Sequence, residues 1–328
     1  MENREFYESI TSERMARAVI ASVVPSEDST TATALHHAGN GLEALRLAVG
    51  DDPIPSVGAP HALLWRRRFD IADIDTIRTN LDHGEAEGQQ VLIPGDPDWP
   101  ASLAVLGRLA PIALWAQGDT SLLADPPASR AAFVGGSECS PYGFEVASDL
   151  AEWIGADGRA VVAMHETGIA EAVTLGGLRN TNKVITVLPH GLDQETDGLD
   201  YLRNKVAGVG LLVTDRPPGA PLSTRSHRIL AALAGVTTVV EAQPRSDAMM
   251  AASIARDCGR EVGAVPGRVT DKASAGNNEL LRQGGARLVA DGSDIADLLD
   301  RNSYRIDMYA LMSGAPHREV SAASGPRR

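Results

Sequence analysis

From residue 91 onward, short runs of apolar residues alternate with longer segments in which apolar residues recur at helical spacing. Nine such runs stand out, namely VLIP, IALWAQG, AAFVG, AVVAM, VITVL, GLLVT, TTVVE, EVGAVPG and RLVAD. Short runs rich in β-branched residues and separated by helices are typical of βαβ units. The pattern therefore predicts an α/β fold with a doubly wound, mainly parallel sheet.

The beginning and the end of the chain have different patterns. Apolar residues at helical spacing occur from about Thr11 to Ala48, are interrupted by the polar stretch PSEDSTTAT, and return in HALLWRRRFD. After Leu299 apolar residues become sparse. We therefore predict a small helical module over residues 1–85, the α/β domain over residues 86–300 and a disordered tail over residues 301–328.

Composition narrows the class of protein. Of the 328 residues, 43% are hydrophobic and 22% charged, and the net charge is −13. This acidity argues against a surface that binds nucleic acid over its whole area. No apolar run approaches the length of a membrane span and no secretory leader is evident, so we expect a cytoplasmic protein without a membrane partner. The two cysteines have neither metal spacing nor disulfide density.

Basic residues are concentrated in one part of this acidic chain. Residues 201–245 contain six basic and two acidic residues. A solvated basic face and a local anion site both explain this excess. Lys183 and Arg245 are further candidate cations for binding phosphates.

The stretch AAFVGGSECSPYGFEVA joins a predicted strand to a predicted helix through the turn Gly135-Gly136-Ser137. Glycines let the backbone approach an anion closely, and the N-terminus of a helix directs unpaired N–H groups toward it. Ser137 and Ser140 offer hydroxyl donors, and Gly168 precedes the next helix in a similar turn. These residues are candidate phosphate ligands, and a tight structural turn is the alternative.

The segment APLSTRSHRILAALAG places Arg225, His227 and Arg228 immediately before a run of apolar residues. Two cations and an imidazole at the start of a helix are suited to contact phosphates. Local salt bridges to Asp215 or Glu241 explain the same residues equally well.

We find no pattern that predicts catalysis. The glycine spacing does not fit GxGxxG, and no Walker lysine follows the turn, so no nucleotide cofactor is expected. The eight histidines are scattered without metal-ligand spacing, and no serine has an identifiable base beside it. The sequence therefore predicts no catalytic residues, no metal site and a protein that is not an enzyme.

From about Val91 to Leu299, nearly two thirds of the chain, the order of motifs resembles the DprA/Smf family of DNA-processing proteins. The resemblance rests on IPGDPDWPASL, IALWAQGD, VGGSECSPYG, GLD, LLVTDRPPG, HRILAAL, VVEAQPRSDAMMAASIARDCGREVGAVPG and SAGNNELLRQGGARLV. The last two blocks are the most specific. The first 85 residues resemble the SAM-like helical region of the same family more weakly.

The chain departs from the family pattern at several motif positions. Ser137 stands where the family usually has an arginine, Ala170 where it has an aspartate, and Thr174 where it has a histidine. Residues 226–228 read Ser-His-Arg in place of Arg-Asn-Arg, and Asp247 replaces a glycine. These changes remove cations and add an anion, which indicates a weakened or altered nucleic-acid groove.

The resemblance implies an extended Rossmann-like fold that binds single-stranded DNA and loads a RecA-type recombinase onto it. It also implies a homodimer formed through the end of the sheet, where Leu280, Leu281 and Leu288 lie, although packing in the core explains these leucines equally well. Two alternatives remain open. One is a diverged paralogue that has lost DNA binding and serves as a protein-interaction module, and the other is a Rossmann-like nucleotide hydrolase.

Overall fold

One nine-stranded sheet organises the protein, of which the computed structural model describes residues 2–195 and 198–313, with side chains for 3–195 and 198–302. The strands are β1 (Gln90–Leu92), β2 (Leu114–Gly118), β3 (Arg130–Val134), β4 (Ala160–Met164), β5 (Val184–Val187), β6 (Leu211–Thr214), β7 (Val236–Val239), β8 (Glu261–Ala264) and β9 (Arg287–Leu288). Their order across the sheet is β1-β2-β6-β5-β4-β3-β7-β8-β9.

The predicted α/β fold is confirmed, because each of the nine apolar runs contains or overlaps one strand. Strands β3 to β9 pair in parallel, whereas β2 is antiparallel to both β1 and β6. All five residues of β3 and all five of β4 are buried, as expected for central strands that are covered on both faces.

Helices precede the sheet and connect its strands. Their bounds are α1 (Glu2–Ser9), α2 (Glu13–Val23), α3 (Ser29–Ala38), α4 (Gly41–Val49), α5 (Ala59–Asp70), α6 (Ile74–Ala86), α7 (Pro141–Ala156), α8 (Ile169–Asn180), α9 (Asp200–Val209), α10 (His227–Leu233), α11 (Asp247–Asp257), α12 (Ala275–Arg282) and α13 (Gly292–Ser313). Short 3-10 helices occur at Ala101–Leu109, Thr120–Leu123, Pro127–Ser129, Thr224–Ser226 and Lys272–Ser274. No helix among the described residues is both long and apolar enough to cross a membrane.

The helical pattern at the N-terminus is interrupted for fewer residues than the sequence predicts. Helix α3 begins inside the polar stretch PSEDSTTAT, because the Asp28 carboxylate accepts a hydrogen bond from Thr31 N at 2.8 Å and caps the helix. At the other end of the chain, the backbone of α13 continues to Ser313, past residue 301 where the predicted tail begins. Residues 314–328 of that tail lie outside the described residues.

The N-terminal helices share a hydrophobic core with one end of the sheet. Val19 and Ile20 of α2 and Trp65 of α5 belong to the same buried cluster as Trp115 of β2 and Leu212 of β6. Helices α1 to α6 thus cover the part of the sheet that contains its antiparallel strands.

Candidate nucleic-acid interface

The winding of the sheet changes direction at β3. The chain runs from β3 through β4 and β5 to β6, and then returns to β7 on the other side of β3. The loops that follow β3 and β7 therefore diverge, and parallel sheets bind ligands at such a crevice outside the carboxyl ends of the strands. A cavity of about 460 Å³ lies there, lined by Gly135, Gly136 and Ser137 of one loop and Arg245 and Asp247 of the other. We call it the crevice.

Close packing between loops leaves no room for a side chain at two of the candidate glycines. A Cβ atom on Gly135 would overlap the side chain of Ile169. Gly168 has a φ of 72°, and a Cβ atom there would overlap the carbonyl of Ser137. The structural alternative therefore accounts for Gly135 and Gly168, while the backbone of Gly135, Gly136 and Ser137 still borders the crevice.

An internal carboxylate occupies the N-terminus of α7, where the sequence predicts an external anion. Glu241, which is 2% exposed, accepts hydrogen bonds from Ser140 N at 2.8 Å and from Ser140 Oγ at 2.7 Å. A Cβ atom on Gly143 would lie 2.5 Å from the same carboxylate. The Ser140 hydroxyl therefore already donates to a carboxylate of the protein itself, which favours the alternative of a structural turn for this residue.

Arg228 is unavailable to a ligand, which corrects an expectation from the sequence. Its guanidinium is buried, and Nη2 donates to Asp215 Oδ2 at 2.5 Å while Nη1 lies 3.0 Å from Glu27 Oε1. Nε donates to the carbonyl of Leu109 at 2.9 Å. The salt-bridge alternative is thus right for Arg228, which joins the N-terminal helices to the sheet.

His227 borders the crevice, but its side chain is 3% exposed. Its Nδ1 lies 2.9 Å from the carbonyl of Thr224, and its Nε2 lies 3.9 Å from Glu166 Oε1. The imidazole therefore lies in the wall of the crevice beside Glu166, and little of it is exposed.

Lys183 lies on the opposite side of the sheet from the crevice, at the amino ends of the parallel strands, which contradicts its predicted place in the site. It immediately precedes β5 and therefore lies at the amino end of that strand, whereas the crevice lies beyond the carboxyl ends. Its Nζ donates to the carbonyl of Gly158 at 3.0 Å.

Two of the predicted cations remain exposed at the carboxyl ends of the strands. Arg245 follows β7 in the left-handed backbone region, with a φ of 65°, and lines the crevice. Arg225 follows β6 in the 3-10 helix Thr224–Ser226. Neither guanidinium forms a hydrogen bond or ion pair with another described residue, so both are available to phosphates.

Carboxylates offset these cations. Glu138, Glu166 and Asp247 line the crevice, and two of the three are exposed. Burial raises the pKa of Glu166, an effect that His227 opposes and Asp247 strengthens. The crevice is therefore less favourable to an anion than the nearby arginines alone suggest.

Two exposed tyrosines lie at the starts of helices that follow the carboxyl ends of parallel strands. Tyr142, in the first turn of α7, is 53% exposed, and Tyr201, in the first turn of α9, is 56% exposed. The Tyr201 hydroxyl donates to Glu171 Oε1 of α8 at 3.2 Å, and α8 packs against α7. Aromatic rings at such positions can stack on bases. The sequence pattern points to Tyr142 alone, because the neighbouring positions of α7, α8 and α9 are visible only in the fold.

No group of three or more His, Cys, Asp or Glu side chains within the described ranges could hold a metal ion. Cys139 and Cys258 are both free thiols, and burial raises the pKa of each. Thiols of this kind are poor nucleophiles at neutral pH.

Comparison with known proteins gives consistent results. Residues 90–300 match the family DNA recombination-mediator protein A. The chain is 37% identical over 243 residues to a DNA processing protein DprA of Mycobacterium tuberculosis, a match that covers 69% of this chain and 62% of that relative. It is 30% identical over 191 residues to DNA processing protein DprA of Streptococcus pneumoniae, covering 57% of this chain and 66% of the relative.

Two solved structures share the fold. The crystal structure of DNA processing protein A from Streptococcus pneumoniae matches with a TM-score of 0.71 at 23% identity, covering 87% of this chain and 97% of that one. DNA processing protein A from Helicobacter pylori, a single-stranded DNA-binding protein, matches with a TM-score of 0.58 at 22% identity, covering 65% of this chain and 96% of that one. Because the family match spans well over half of the 328 residues, this chain belongs to the family of DNA recombination-mediator protein A, the DprA/Smf family.

Proposed function

We propose that this protein binds single-stranded DNA along the carboxyl ends of its parallel strands, centred on the crevice, and acts in DNA processing and recombination. In this proposal it is not an enzyme but a mediator that passes the strand to a RecA-type recombinase. We expect it to work in the cytoplasm, where such a strand and a recombinase meet. Its membership of the family and the single-stranded DNA bound by the Helicobacter pylori protein support the proposal.

The observation that carries the proposal is the pairing of exposed, unengaged arginines with a ligand crevice. Arg225 and Arg245 both follow strands that end at this edge, and Arg245 lines the crevice itself. Arginines bind phosphates through parallel hydrogen bonds that carry no sequence information. Tyr142 and Tyr201 add stacking surfaces that accept any base. We therefore expect binding without sequence preference.

The direct test is the fluorescence anisotropy of a labelled oligothymidine titrated with protein at several salt concentrations. We expect the double substitution Arg225→Ala/Arg245→Ala to lower the affinity and to reduce the log–log salt slope by roughly 1.4, since each phosphate contact to a single strand contributes about 0.7. The matched control is Lys183→Ala/Arg67→Ala, which removes the same charge at two exposed positions away from the crevice.

One observation favours the alternative of a protein-interaction module. Glu138, Glu166 and Asp247 place negative charge where a phosphate would lie. If the wild-type protein shows no salt-dependent affinity for oligothymidine even at low ionic strength, the DNA-binding proposal is wrong. A partner that is retained in a pull-down after nuclease treatment would then support the module.

A further inference from the structure

A second cavity, of about 740 Å³, lies between the C-terminal end of α3 and the segment that leads into β2. Its charged and imidazole-bearing lining consists of Arg17 of α2, His36 and His37 of α3, and Arg108. Ser26, Thr33 and Ser56 add hydroxyl groups to the lining. We call it the basic cavity.

The basic cavity differs in charge from the protein around it. The chain as a whole carries a net charge of −13, yet none of the described residues that line this cavity is an aspartate or a glutamate. Arg108 is exposed, and its guanidinium forms no hydrogen bond or ion pair with another described residue. His36 and His37 lie in the last turn of α3, and their side chains are exposed. These features make an environment that attracts anions.

Arg17 is fixed in the wall of the cavity. Its side chain is 13% exposed, its Nε donates to Glu13 Oε1 at 2.6 Å, and its Nη1 donates to the carbonyl of Ile112 at 3.2 Å. Glu13 in turn accepts hydrogen bonds from the backbone at the start of α4, including Gly41 N at 2.7 Å. The wall is therefore organised before any ligand arrives, which lowers the entropic cost of binding.

Part of the lining of the basic cavity lies near the carboxyl end of a parallel strand, as the crevice does. Strand β2 is antiparallel to β6, so Ile112, which precedes β2, lies beside the carboxyl end of β6. The segment over residues 225–228 runs from one site toward the other, since His227 lines the crevice and Arg228 Nε donates at 2.9 Å to the carbonyl of Leu109, which follows Arg108 of the basic cavity. Arg225 belongs to this segment, and its carbonyl accepts a hydrogen bond from Arg228 Nη1 at 2.9 Å.

We infer that the basic cavity is a second phosphate-binding site, which holds the backbone of the strand after it has passed from the crevice over Arg225. Arg108, His36 and His37 contact the phosphate, and Arg17, held by Glu13, forms a fixed part of the wall. This inference rests on the proposed function for the source of the phosphate. A free mononucleotide presents the same chemical group, and the experiment separates the two sources.

The test uses two lengths of oligothymidine and thymidine monophosphate. The variant is Arg108→Ala/His36→Gln/His37→Gln, and its control is Arg67→Ala/His61→Gln/His83→Gln, which makes the same changes at exposed positions of the helical module outside the cavity. A strand of about 6 nucleotides is short enough to occupy the crevice alone, whereas one of about 30 also reaches the basic cavity. Thermal unfolding of both variants checks that they are folded.

We expect the variant to bind the long strand roughly tenfold more weakly, and its salt slope should be lower by about 0.7 for each phosphate that it no longer binds. Its affinity for the short strand should be that of the wild type, and the control should match the wild type with both strands. If the variant binds the long strand as the wild type does, and thymidine monophosphate does not bind the wild type in calorimetry, the second phosphate site is overturned while the proposed function stands.

Failure of the proposed function gives a different result. If neither strand binds the wild-type protein but thymidine monophosphate binds it and not the variant, the phosphate site is supported with a mononucleotide as its source. If neither the strands nor the monophosphate bind, both proposals are overturned.

Discussion

At the residue scale, Glu241 determines what the Gly-Gly-Ser turn can do. It places a carboxylate at the N-terminus of α7 and accepts both hydrogen bonds that Ser140 offers. The sequence contains a signal for this contact, because Glu241 directly follows a buried strand and a buried acid needs donors. Spacing alone does not show which helix provides those donors, so the pattern predicts a site for an external anion instead.

We predict that His165 makes the folded protein less stable at acidic pH. Its side chain is 3% exposed and its Nε2 has no hydrogen-bond partner among the described residues. Burial, with the nearby His190 and Arg203, lowers the pKa of His165 to about 4. In the unfolded chain histidine titrates near 6.5, so the unfolded state binds the proton first as the pH falls. The contribution of the neutral His165 to the free energy of unfolding is therefore fully present above about pH 6.5, and it is lost as the pH falls from about 6.5 to about 4.

We expect His165→Leu to remove this part of the acid sensitivity. The free energy of unfolding should change little at pH 7, and at pH 4 the variant should retain roughly 3 kcal/mol that the wild type loses. Urea unfolding at pH 7, 5.5 and 4 measures the difference, with His61→Gln, an exposed position, as the control. Parallel loss of stability in the wild type and in His165→Leu would show that His165 titrates normally.

We predict that protonation of Glu166 makes the affinity for DNA depend on pH. Burial raises its pKa, so it becomes neutral at a higher pH than an ordinary glutamate and then no longer repels a phosphate. We expect Glu166→Gln to raise the affinity for oligothymidine at pH 8 on the order of fivefold, the equivalent of about 1 kcal/mol. The wild type should gain affinity as the pH falls from 8 toward the raised pKa of Glu166, and the variant should gain less. An unchanged affinity at pH 8 in Glu166→Gln would place the strand away from this carboxylate.

At the scale of elements, the alternation of apolar runs and helical segments is sufficient to predict all nine strands. A buried parallel strand needs an apolar run of a certain length, which the sequence shows directly. The antiparallel pairing of β1 and β2 does not follow from the pattern, because a strand's direction depends on the path of its connections rather than on its own residues. The same limit applies to Lys183, which lies next to a predicted strand but at its amino end.

Arg228 connects elements that are far apart in the chain. It is paired with Glu27, just before α3, and with Asp215, just after β6, and all three side chains are at most 4% exposed. Arg228→Ala leaves Asp215 without its paired cation and leaves Glu27 with Arg216 alone, at 4.0 Å, so we expect it to lower the free energy of unfolding by roughly 3–5 kcal/mol. Arg225→Ala, at an exposed neighbour, should cost far less.

The measurement for Arg228 is urea unfolding, followed by oligothymidine binding under conditions in which the variant is folded. A stable Arg228→Ala protein that no longer binds DNA would mean that Arg228 is a phosphate ligand, as its position in the sequence suggests.

At the scale of the whole molecule, the free edge of the sheet bears on assembly. Strand β9 is the last strand in the sheet, and its Leu288 is 55% exposed, whereas Leu280 is buried. An exposed leucine on an edge strand, which is paired on one side only, favours contact with a second copy. We expect light scattering to show a dimer that Leu288→Glu converts to a monomer. Val269→Glu, at a 94% exposed position, is the control and should leave the mass unchanged. A wild-type protein that is monomeric at high concentration would show that the homodimer expected from the sequence does not form.

The balance of charge over the molecule explains why the site could be predicted only in part. The chain is acidic, and the unengaged cations at the carboxyl edge are a small minority of its basic residues. Sequence spacing identifies Arg225 and Arg245 together with Arg228, which has the same local pattern but is buried. Burial depends on the packing of the N-terminal helices against the sheet, which no local pattern contains.

The measurement that tests the central claim most directly is ultraviolet crosslinking of oligothymidine to the wild-type protein, with the crosslinked peptides identified by mass spectrometry. Our account predicts crosslinks at Tyr142 and in the loops over residues 135–140 and 241–247, all at the carboxyl ends of the strands. Crosslinks confined to the opposite edge, around residues 157–160 and 181–183, would contradict it.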